Sequence, residues 1–169
     1  MKSLFFIVAI AACFCSCNQT HASHQLDKKE LVARRDSLKD DLLKTDLAFS
    51  QVSEEKGRNA AFMHYADSSA IMLREFSSPT TGIDAIGQLL SKYPDNTAKL
   101  TWVPISSDVA YSGELGYTYG TYTIETKGKD HFGGTYCTIW KRNRSHNWKF
   151  VLSTGNEGVQ PADKDLIVQ

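Results

Sequence analysis

Neither sign of charge predominates in this sequence. Lys and Arg together number 19, and so do Asp and Glu, which makes the formal net charge zero. No cluster of four or more basic residues occurs along the chain. Nucleic-acid binding needs a surplus of positive charge to meet the phosphates, so this composition predicts no nucleic-acid partner.

The sequence also lacks the short motifs of several kinds of site. No Gly-x-Gly-x-x-Gly opens a helix, and no Gly-x-Ser-x-Gly surrounds a nucleophilic serine. His131 and His146 fall in turns, without the spacing of metal ligands. His64 stands near Asp67, but in a short helix before a turn it is interpreted as exposed or bonded to backbone. We therefore predict no cofactor, no metal and no catalytic residue of these kinds.

Cysteine is nearly absent from the body of the chain. Three of the four cysteines lie within the first 17 residues, and Cys137 is the remaining one. A single cysteine excludes an internal disulfide in this part of the chain. Cys137 is interpreted as a small apolar residue inside a strand rather than as a reactive thiol.

The first 17 residues have the pattern of an export signal. Lys2 precedes an apolar run over residues 4–12 that is too short to span a bilayer. Cysteines at 13, 15 and 17 follow, in a placement that resembles the lipobox of bacterial lipoproteins. We favour Cys17 as the lipidated residue, with Cys13 as the alternative. If the segment is not a lipoprotein signal, it is interpreted as an ordinary cleaved signal or as an uncut membrane tether. The predicted protein is exported and membrane-anchored, facing the periplasm or the cell surface, with residues 1–17 as signal peptide and 18–27 as tether.

Helical spacing dominates the first half of the mature chain. A helix is predicted from about Leu26 to Lys56 and ends at Gly57, with a short second helix over residues 60–65 capped by Asn59. A third helix begins after Thr81 and ends near Pro94. The buried stripe of the first helix is predicted from spacings of 7, 4, 3, 4 and 3, and consists of Leu31, Leu38, Leu42, Thr45, Phe49 and Val52.

The second half changes to the pattern of strands. A short strand is predicted over residues 70–76, and four long ones over 100–111, 115–126, 132–141 and 148–154, rich in β-branched and aromatic residues. Short turns separate the long strands, which indicates an antiparallel meander. The predicted fold class is α+β, with N-terminal helices packed on one face of a strongly bent antiparallel sheet. The predicted domain covers residues 28–157, and a tail follows over 158–169.

Several motifs, in this order, resemble the nuclear transport factor 2-like superfamily, and most closely SnoaL-like domains of the kind called domain of unknown function 4440. They are Asp46-Leu47-Ala48-Phe49-Ser50, Ala61-Phe62-Met63-His64-Tyr65-Ala66-Asp67, Gly82-Ile83-Asp84-Ala85-Ile86, Leu100-Thr101-Trp102, Gly116-Tyr117-Thr118-Tyr119-Gly120-Thr121-Tyr122, Gly134-Thr135-Tyr136-Cys137-Thr138-Ile139-Trp140-Lys141-Arg142 and Asn147-Trp148-Lys149-Phe150. The resemblance spans about residues 46–156. It implies a cone-shaped domain whose sheet wraps around a long helix and leaves a pocket for small apolar molecules. It also implies a homodimer, which we expect to form through the convex face of the sheet.

Aromatic residues supply the predicted ligand-binding site. The residues assigned to it are Phe49, Trp102, Tyr119, Tyr136 and Trp140. Aromatic rings with polar tips suit a pocket that holds an apolar ligand by stacking and one or two hydrogen bonds. The alternative is that these rings form only the core of the sheet. Alternation puts Tyr117, Tyr119 and Thr121 on one face, and the sequence leaves open which face is concave.

An enzyme of isomerase, cyclase or hydratase type is the second hypothesis, with Asp46, Tyr119 and Glu75 as its possible acids. Ketosteroid isomerase, which belongs to this superfamily, needs one carboxylate base and a second acid inside an apolar pocket. The late strand over residues 135–140 contains no Asp or Glu, and Glu75 should point away from the side taken by Arg74. Asp46 lies one residue outside the helical stripe and is interpreted first as a surface or capping carboxylate, with a place at the pocket as the alternative. A non-catalytic ligand-binding or assembly domain is therefore the leading hypothesis.

Overall fold

Three helices precede a long β-meander in the computed structural model, which describes residues 27–126 and 132–158. The elements are α1 (Lys28–Lys56), α2 (Arg58–Tyr65), β1 (Ala66–Leu73), β2 (Thr80–Thr81), α3 (Ile83–Leu90), β3 (Ala98–Val109), β4 (Leu115–Thr126), β5 (Phe132–Arg142) and β6 (Trp148–Glu157). The lipidation site predicted at Cys17 or Cys13 and nearly all of the tether and the tail lie outside the described residues. No helix in the described part is long and apolar enough to cross a bilayer.

The sheet has six strands in the order β2-β1-β6-β5-β4-β3. Strands β3 to β6 form the predicted antiparallel meander. Strand β1 pairs with β6 in parallel, so the sheet is mixed rather than wholly antiparallel. Parallel pairing needs a long connection, and α3 with the three following strands supplies it. The predicted α+β class, with helices packed on a cone-forming sheet, is confirmed.

Irregularities in strand pairing bend the sheet. The register shifts between Pro104 and Ser106, where β3 has an extra residue, and again opposite Ile139 and Trp140, where Val151 is the extra residue of β6. Such bulges bend a strand locally and increase its twist. They lie in the long strands of the meander, which is the part of the sheet that curves around the helices.

Glycines let two aromatic rings lie flat against the sheet. Tyr136 is paired with Gly120 on the neighbouring strand, and Tyr122 is paired with Gly134. A Cβ atom on Gly120 would overlap the Val103 carbonyl oxygen and come within 2.9 Å of the Tyr136 ring. The two tyrosine rings therefore occupy space that side chains at the paired positions would otherwise take.

Helix α1 runs along β3, which is the edge strand of the sheet. Ser50 Oγ donates to the Trp102 carbonyl at 2.7 Å and accepts from the Trp102 backbone N–H at 2.8 Å. Ser53 Oγ donates to the Leu100 carbonyl at 2.7 Å. Backbone groups of an edge strand have no strand partner on their outer side, and here helix side chains satisfy them.

These contacts change the buried face of α1 from the one predicted. The buried residues of the helix are Leu38, Leu42, Asp46, Phe49, Ser50 and Ser53. The prediction was right for Leu38, Leu42 and Phe49, whereas Leu31, Thr45 and Val52 are only half-buried and the neighbours of the last two, Asp46 and Ser53, are buried instead. Apolar periodicity misses this face because three of its members are polar residues whose partners lie on β3 and β5.

The helix caps also differ from those predicted at Asn59 and Thr81. Glycines with positive φ precede both helices, Gly57 at 93° and Gly82 at 90°. At α2 the Asp95 carboxylate accepts the Asn59 backbone N–H at 3.1 Å and so caps the helix from a distant loop. A carboxylate at this end also interacts favourably with the helix dipole.

Aromatic residues fill the core between helices and sheet. Phe49 is 2% exposed, and its ring centroid lies 4.5 Å from that of Trp102 and 4.9 Å from that of Phe62. Trp140 and Phe150 lie beside it, each with a centroid distance of 5.9 Å. These edge-on and stacked contacts anchor α1 and α2 to the concave face of the sheet.

Candidate functional site

A cavity of about 520 Å³ opens between the helices and the concave face of the sheet. Volumes of about 300–1,000 Å³ are typical of small-molecule sites. Its apolar walls include Phe49, Phe62, Met72, Leu90, Leu100 and Ile124. Since these residues come from α1, α2, α3 and three strands, the cavity exists only in the assembled fold.

The predicted ligand-binding residues take three different places. Phe49, Trp102 and Tyr136 line the cavity. Trp140 is fully buried in the core, where its indole N–H donates to Thr118 Oγ1 at 2.8 Å. Tyr119 lies on the opposite, outer face of the sheet and is 44% exposed. The concave face is therefore the one that carries Thr118, Tyr122 and Ile124.

A buried carboxylate stands behind the cavity wall. Asp46 has no exposed surface, and its Oδ2 accepts the Tyr136 hydroxyl at 2.7 Å. Its Oδ1 accepts the Trp102 indole N–H at 2.9 Å. Both donors are lining residues of the cavity, so Asp46 holds two cavity side chains in fixed orientations.

Asp46 was thus wrongly interpreted as a surface or capping carboxylate. Its inward position is tolerated because every described buried side-chain nitrogen or oxygen, including both of its oxygens, has a hydrogen-bond partner. One signal was available in the sequence. Leu42, Asp46, Phe49, Ser50 and Ser53 recur at helical spacing and form a stripe once polar residues are admitted to it.

The surroundings of Asp46 and Tyr136 favour the protonated form of each. Burial raises the pKa of Asp46, although hydrogen bonds from Tyr136, Trp102 and Thr118 oppose this. Burial likewise raises the pKa of Tyr136, and the charge of Asp46 raises it further. Tyr136 therefore remains a neutral phenol throughout the physiological range, and it can offer its oxygen to a ligand in the cavity.

The mouth of the cavity carries four charged residues. Arg58 and Arg74 line one part of it, and Glu75 and Glu157 also belong to its lining. Arg74 and Glu75 both belong to this lining although strand alternation was expected to turn them apart, because β1 ends at Leu73 and alternation ends with it. Both residues lie in the segment between β1 and β2.

The described histidines stand apart from this cavity. His64 is exposed, its ring meets that of Tyr65, and its carbonyl accepts the Lys149 ammonium group. His146 is exposed in the β5–β6 turn, and His131 lies outside the described residues. Within residues 27–126 and 132–158, no three His, Cys, Asp or Glu side chains are grouped so that they could hold a metal ion.

Solved structures share this fold at very low sequence identity. An NTF2-like protein with a cystatin-like fold from Novosphingobium aromaticivorans matches with a TM-score of 0.60 and 11% identity, over 86% of this chain and 99% of that one. A ketosteroid isomerase-like protein from Erwinia carotovora atroseptica matches with a TM-score of 0.58 and 8% identity, over 69% and 93% of the two chains. An epoxide hydrolase of the LEH-like kind from Mycobacterium tuberculosis matches with a TM-score of 0.52 and 10% identity, over 71% and 84%.

By sequence, no known protein family and no curated protein matches the chain. The fold is that of the nuclear transport factor 2-like proteins. Proteins of this shape include enzymes and many whose function is unknown, so the fold alone does not identify a reaction.

Proposed function

We propose that this domain binds a small, mainly apolar molecule in the cavity between α1 and the concave sheet. The observation that carries the proposal is the combination of about 520 Å³ of open space with a wall built from core side chains. A cleft of this volume with largely apolar walls falls within the range of small-ligand sites, which bury most of the surface of their ligand.

Two polar groups of the wall, the Tyr136 phenol and the Trp102 indole, are held in place by Asp46. The Tyr136 hydroxyl donates to Asp46, and Tyr136 lines the cavity, so its oxygen can accept a hydrogen bond from a ligand there. A ligand with one hydrogen-bond donor gains an oriented acceptor there. Apolar walls with a few fixed polar groups are the usual composition of a small-ligand site.

Binding of a neutral apolar dye tests the proposal. Nile red should bind the purified protein with an increase in dye fluorescence, since the cavity removes it from water. Ile124→Trp, which places a large ring in the lining, should abolish the increase. Thr123→Trp is the matched control, because its neighbouring position faces the outer side of the sheet. Equal dye binding by both variants, or none by the wild type, would contradict ligand binding in this cavity.

A proton-transfer enzyme is the second candidate function. It is favoured by one observation, namely that Tyr136 and Glu75 line the same cavity. Glu75 would remove a proton next to a carbonyl group, and the Tyr136 O–H would turn from Asp46 to donate to the resulting enolate. Asp46, whose burial favours the protonated form, would then donate to the Tyr136 oxygen in its place. Return of the proton at a different carbon shifts a double bond without any other reactant.

Isomerisation of 3-cyclohexen-1-one to 2-cyclohexen-1-one offers a direct assay, because the conjugated product absorbs in the ultraviolet. The enzyme hypothesis expects turnover that Glu75→Gln and Tyr136→Phe each reduce at least about a hundredfold, the usual contribution of a general acid or base. Turnover that neither substitution changes would not come from this cavity and would exclude the proton-transfer function.

We also propose that the domain is a SnoaL-like member of the superfamily, carried on a lipid anchor at Cys17. The apolar run before residue 13 and the polar run from Asn18 support the anchor. Ten tether residues at about 3.3–3.6 Å each would keep the domain within roughly 36 Å of the membrane. Mass spectrometry of membrane-extracted protein should find an acylated peptide that starts at Cys17, or else at Cys13. An unmodified N-terminus beyond residue 17 would rule the anchor out.

A further inference from the structure

Two arginines form a cationic wall at the mouth of the cavity. Arg58 is the first residue of α2, and Arg74 follows the last residue of β1. Both flank the ring of Tyr93, with guanidinium carbons 5.8 Å and 6.0 Å from its centroid. The fold thus brings two positive charges from separate elements to one aromatic residue that also lines the cavity.

Neither arginine of this wall forms an ion pair with a residue that the structure describes. Within the described residues, no carboxylate oxygen lies within 4.0 Å of either guanidinium group. Arg58 donates to the Tyr93 carbonyl at 2.7 Å and to Asn59 Oδ1 at 3.3 Å, and Arg74 donates to Ser77 Oγ at 3.5 Å. Arg35 provides the contrast, because the same fold pairs it with Asp108 at 2.7 Å.

The two positive charges also influence one another. Burial lowers the pKa of Arg58, and although Asp95 opposes this, the charge of Arg74 lowers it further. An anion placed between the two guanidinium groups would relieve this repulsion. Planar guanidinium groups also offer paired N–H donors that match the two oxygens of a carboxylate.

The acidic residues of the mouth lie on a different side. Glu75 Oε1 accepts the backbone N–H of Glu157 at 3.1 Å, which ties the end of β6 to the segment after β1. Burial raises the pKa of Tyr122 on β4, and the charges of Glu157 and Glu75 raise it further. The mouth is therefore divided into a basic side near α2 and α3 and an acidic side near β4 and β6.

We propose that the ligand is an amphiphile with one anionic head group, held by Arg58 and Arg74, whose apolar part extends toward Trp102 and Phe49. This inference rests on the ligand-binding function proposed above and adds the chemical class and the orientation of the ligand. The acidic side of the mouth disfavours a second negative charge, so the class is a monoanion with a single apolar chain or ring system.

Three probes of equal chain length isolate the contribution of the head group. Decanoate, decanol and decyltrimethylammonium should each be titrated against bound Nile red below their critical micelle concentrations. Decanoate should displace the dye at a concentration about tenfold or more below that needed for decanol, the gain expected from one charge-assisted hydrogen bond. Decyltrimethylammonium should be the weakest of the three.

Charge variants connect this preference to the cationic wall. Arg74→Gln should remove most of the advantage of decanoate and leave decanol unchanged, and Arg74→Glu should reverse the order of decanoate and decyltrimethylammonium. Arg144→Gln, at an exposed position in the β5–β6 turn, is the matched control and should behave as the wild type.

The possible failures are distinguishable. Equal displacement by decanoate and decanol, or an advantage that Arg74→Gln leaves intact, would overturn the anionic head group while apolar ligand binding stands. Absence of Nile red binding to the wild type would overturn ligand binding itself, and the inference with it.

Discussion

The phenol of Tyr136 on β5 donates a 2.7 Å hydrogen bond to the carboxylate of Asp46 on α1, across the wall of the cavity. This contact joins the longest helix to the central part of the sheet and is closed to water on the Asp46 side. A buried carboxylate that is held only by neutral donors is costly when charged, and this makes the pair the part of the fold most sensitive to pH.

Replacing Asp46 with Asn should remove a specific pH dependence of stability. Burial raises the pKa of Asp46 above its usual value of 3.8. A group whose pKa is raised by folding contributes stability below its unfolded pKa, and that contribution is lost as the pH rises through the folded pKa. The unfolding free energy of the wild type, measured against Asp46→Asn by urea titration, should therefore fall as the pH rises from about 4, by at most about 1.4 kcal/mol per unit. If the difference in unfolding free energy between the wild type and Asp46→Asn stays constant as the pH rises from about 4, the pKa of Asp46 is not raised.

Replacing Ser50 with Ala should cost about 1–3 kcal/mol of unfolding free energy. The substitution removes both hydrogen bonds to the Trp102 backbone and leaves that buried N–H and carbonyl without a partner. Ser37→Ala, on the exposed side of the same helix, should change stability by less than about 0.5 kcal/mol. If the two serines cost the same in chemical denaturation, α1 does not stabilise the edge strand in this way.

Replacing Gly120 with Ala should destabilise the domain by about 1–3 kcal/mol or more. The added methyl group would overlap the Val103 carbonyl oxygen and press on the Tyr136 ring, and backbone cannot move as a flexible side chain can. Gly87→Ala in α3 is the control, because its Cβ would meet only the flexible Met63 side chain at 3.3 Å. Helix propensity predicts that this control is stabilised by up to about 1 kcal/mol, and thermal unfolding would compare the two.

We propose that the convex face of the sheet forms a homodimer, and two substitutions test this. Val103 and Tyr119 are 63% and 44% exposed there, and Ile105, Leu115 and Tyr117 are also exposed. Apolar surface of this kind is often covered by a partner.

Sedimentation of the purified protein should give a dimer for the wild type and a monomer for Val103→Lys combined with Tyr119→Lys. Leu47→Lys, at a similarly exposed position on α1, should leave the dimer intact. A monomeric wild type would exclude the interface.

Local patterns in the sequence predicted the elements well. The long first helix, the short second helix, the third helix and the four strands of the meander all occur within a few residues of their predicted positions. Periodicity, turn residues and glycine stops act between near neighbours in the chain, so they can be read without knowledge of the fold. The parallel pairing of β1 with β6 was not predicted, since it joins segments that are separated by most of the domain.

The residues around the cavity were predicted less completely than the helices and strands. Phe49, Trp102 and Tyr136, which were predicted as ligand-binding residues from their type, line the cavity, and their binding of a ligand stays a prediction. The face taken by Tyr119, the core position of Trp140 and the burial of Asp46 were decided by tertiary structure. Asp46 and Tyr136 are 90 residues apart, and a polar side chain can be buried only where such a distant partner satisfies it. The sequence by itself determined which segments are helices and which are strands; packing decided which polar groups the interior could accept, because their burial depends on partners that only the folded chain brings together.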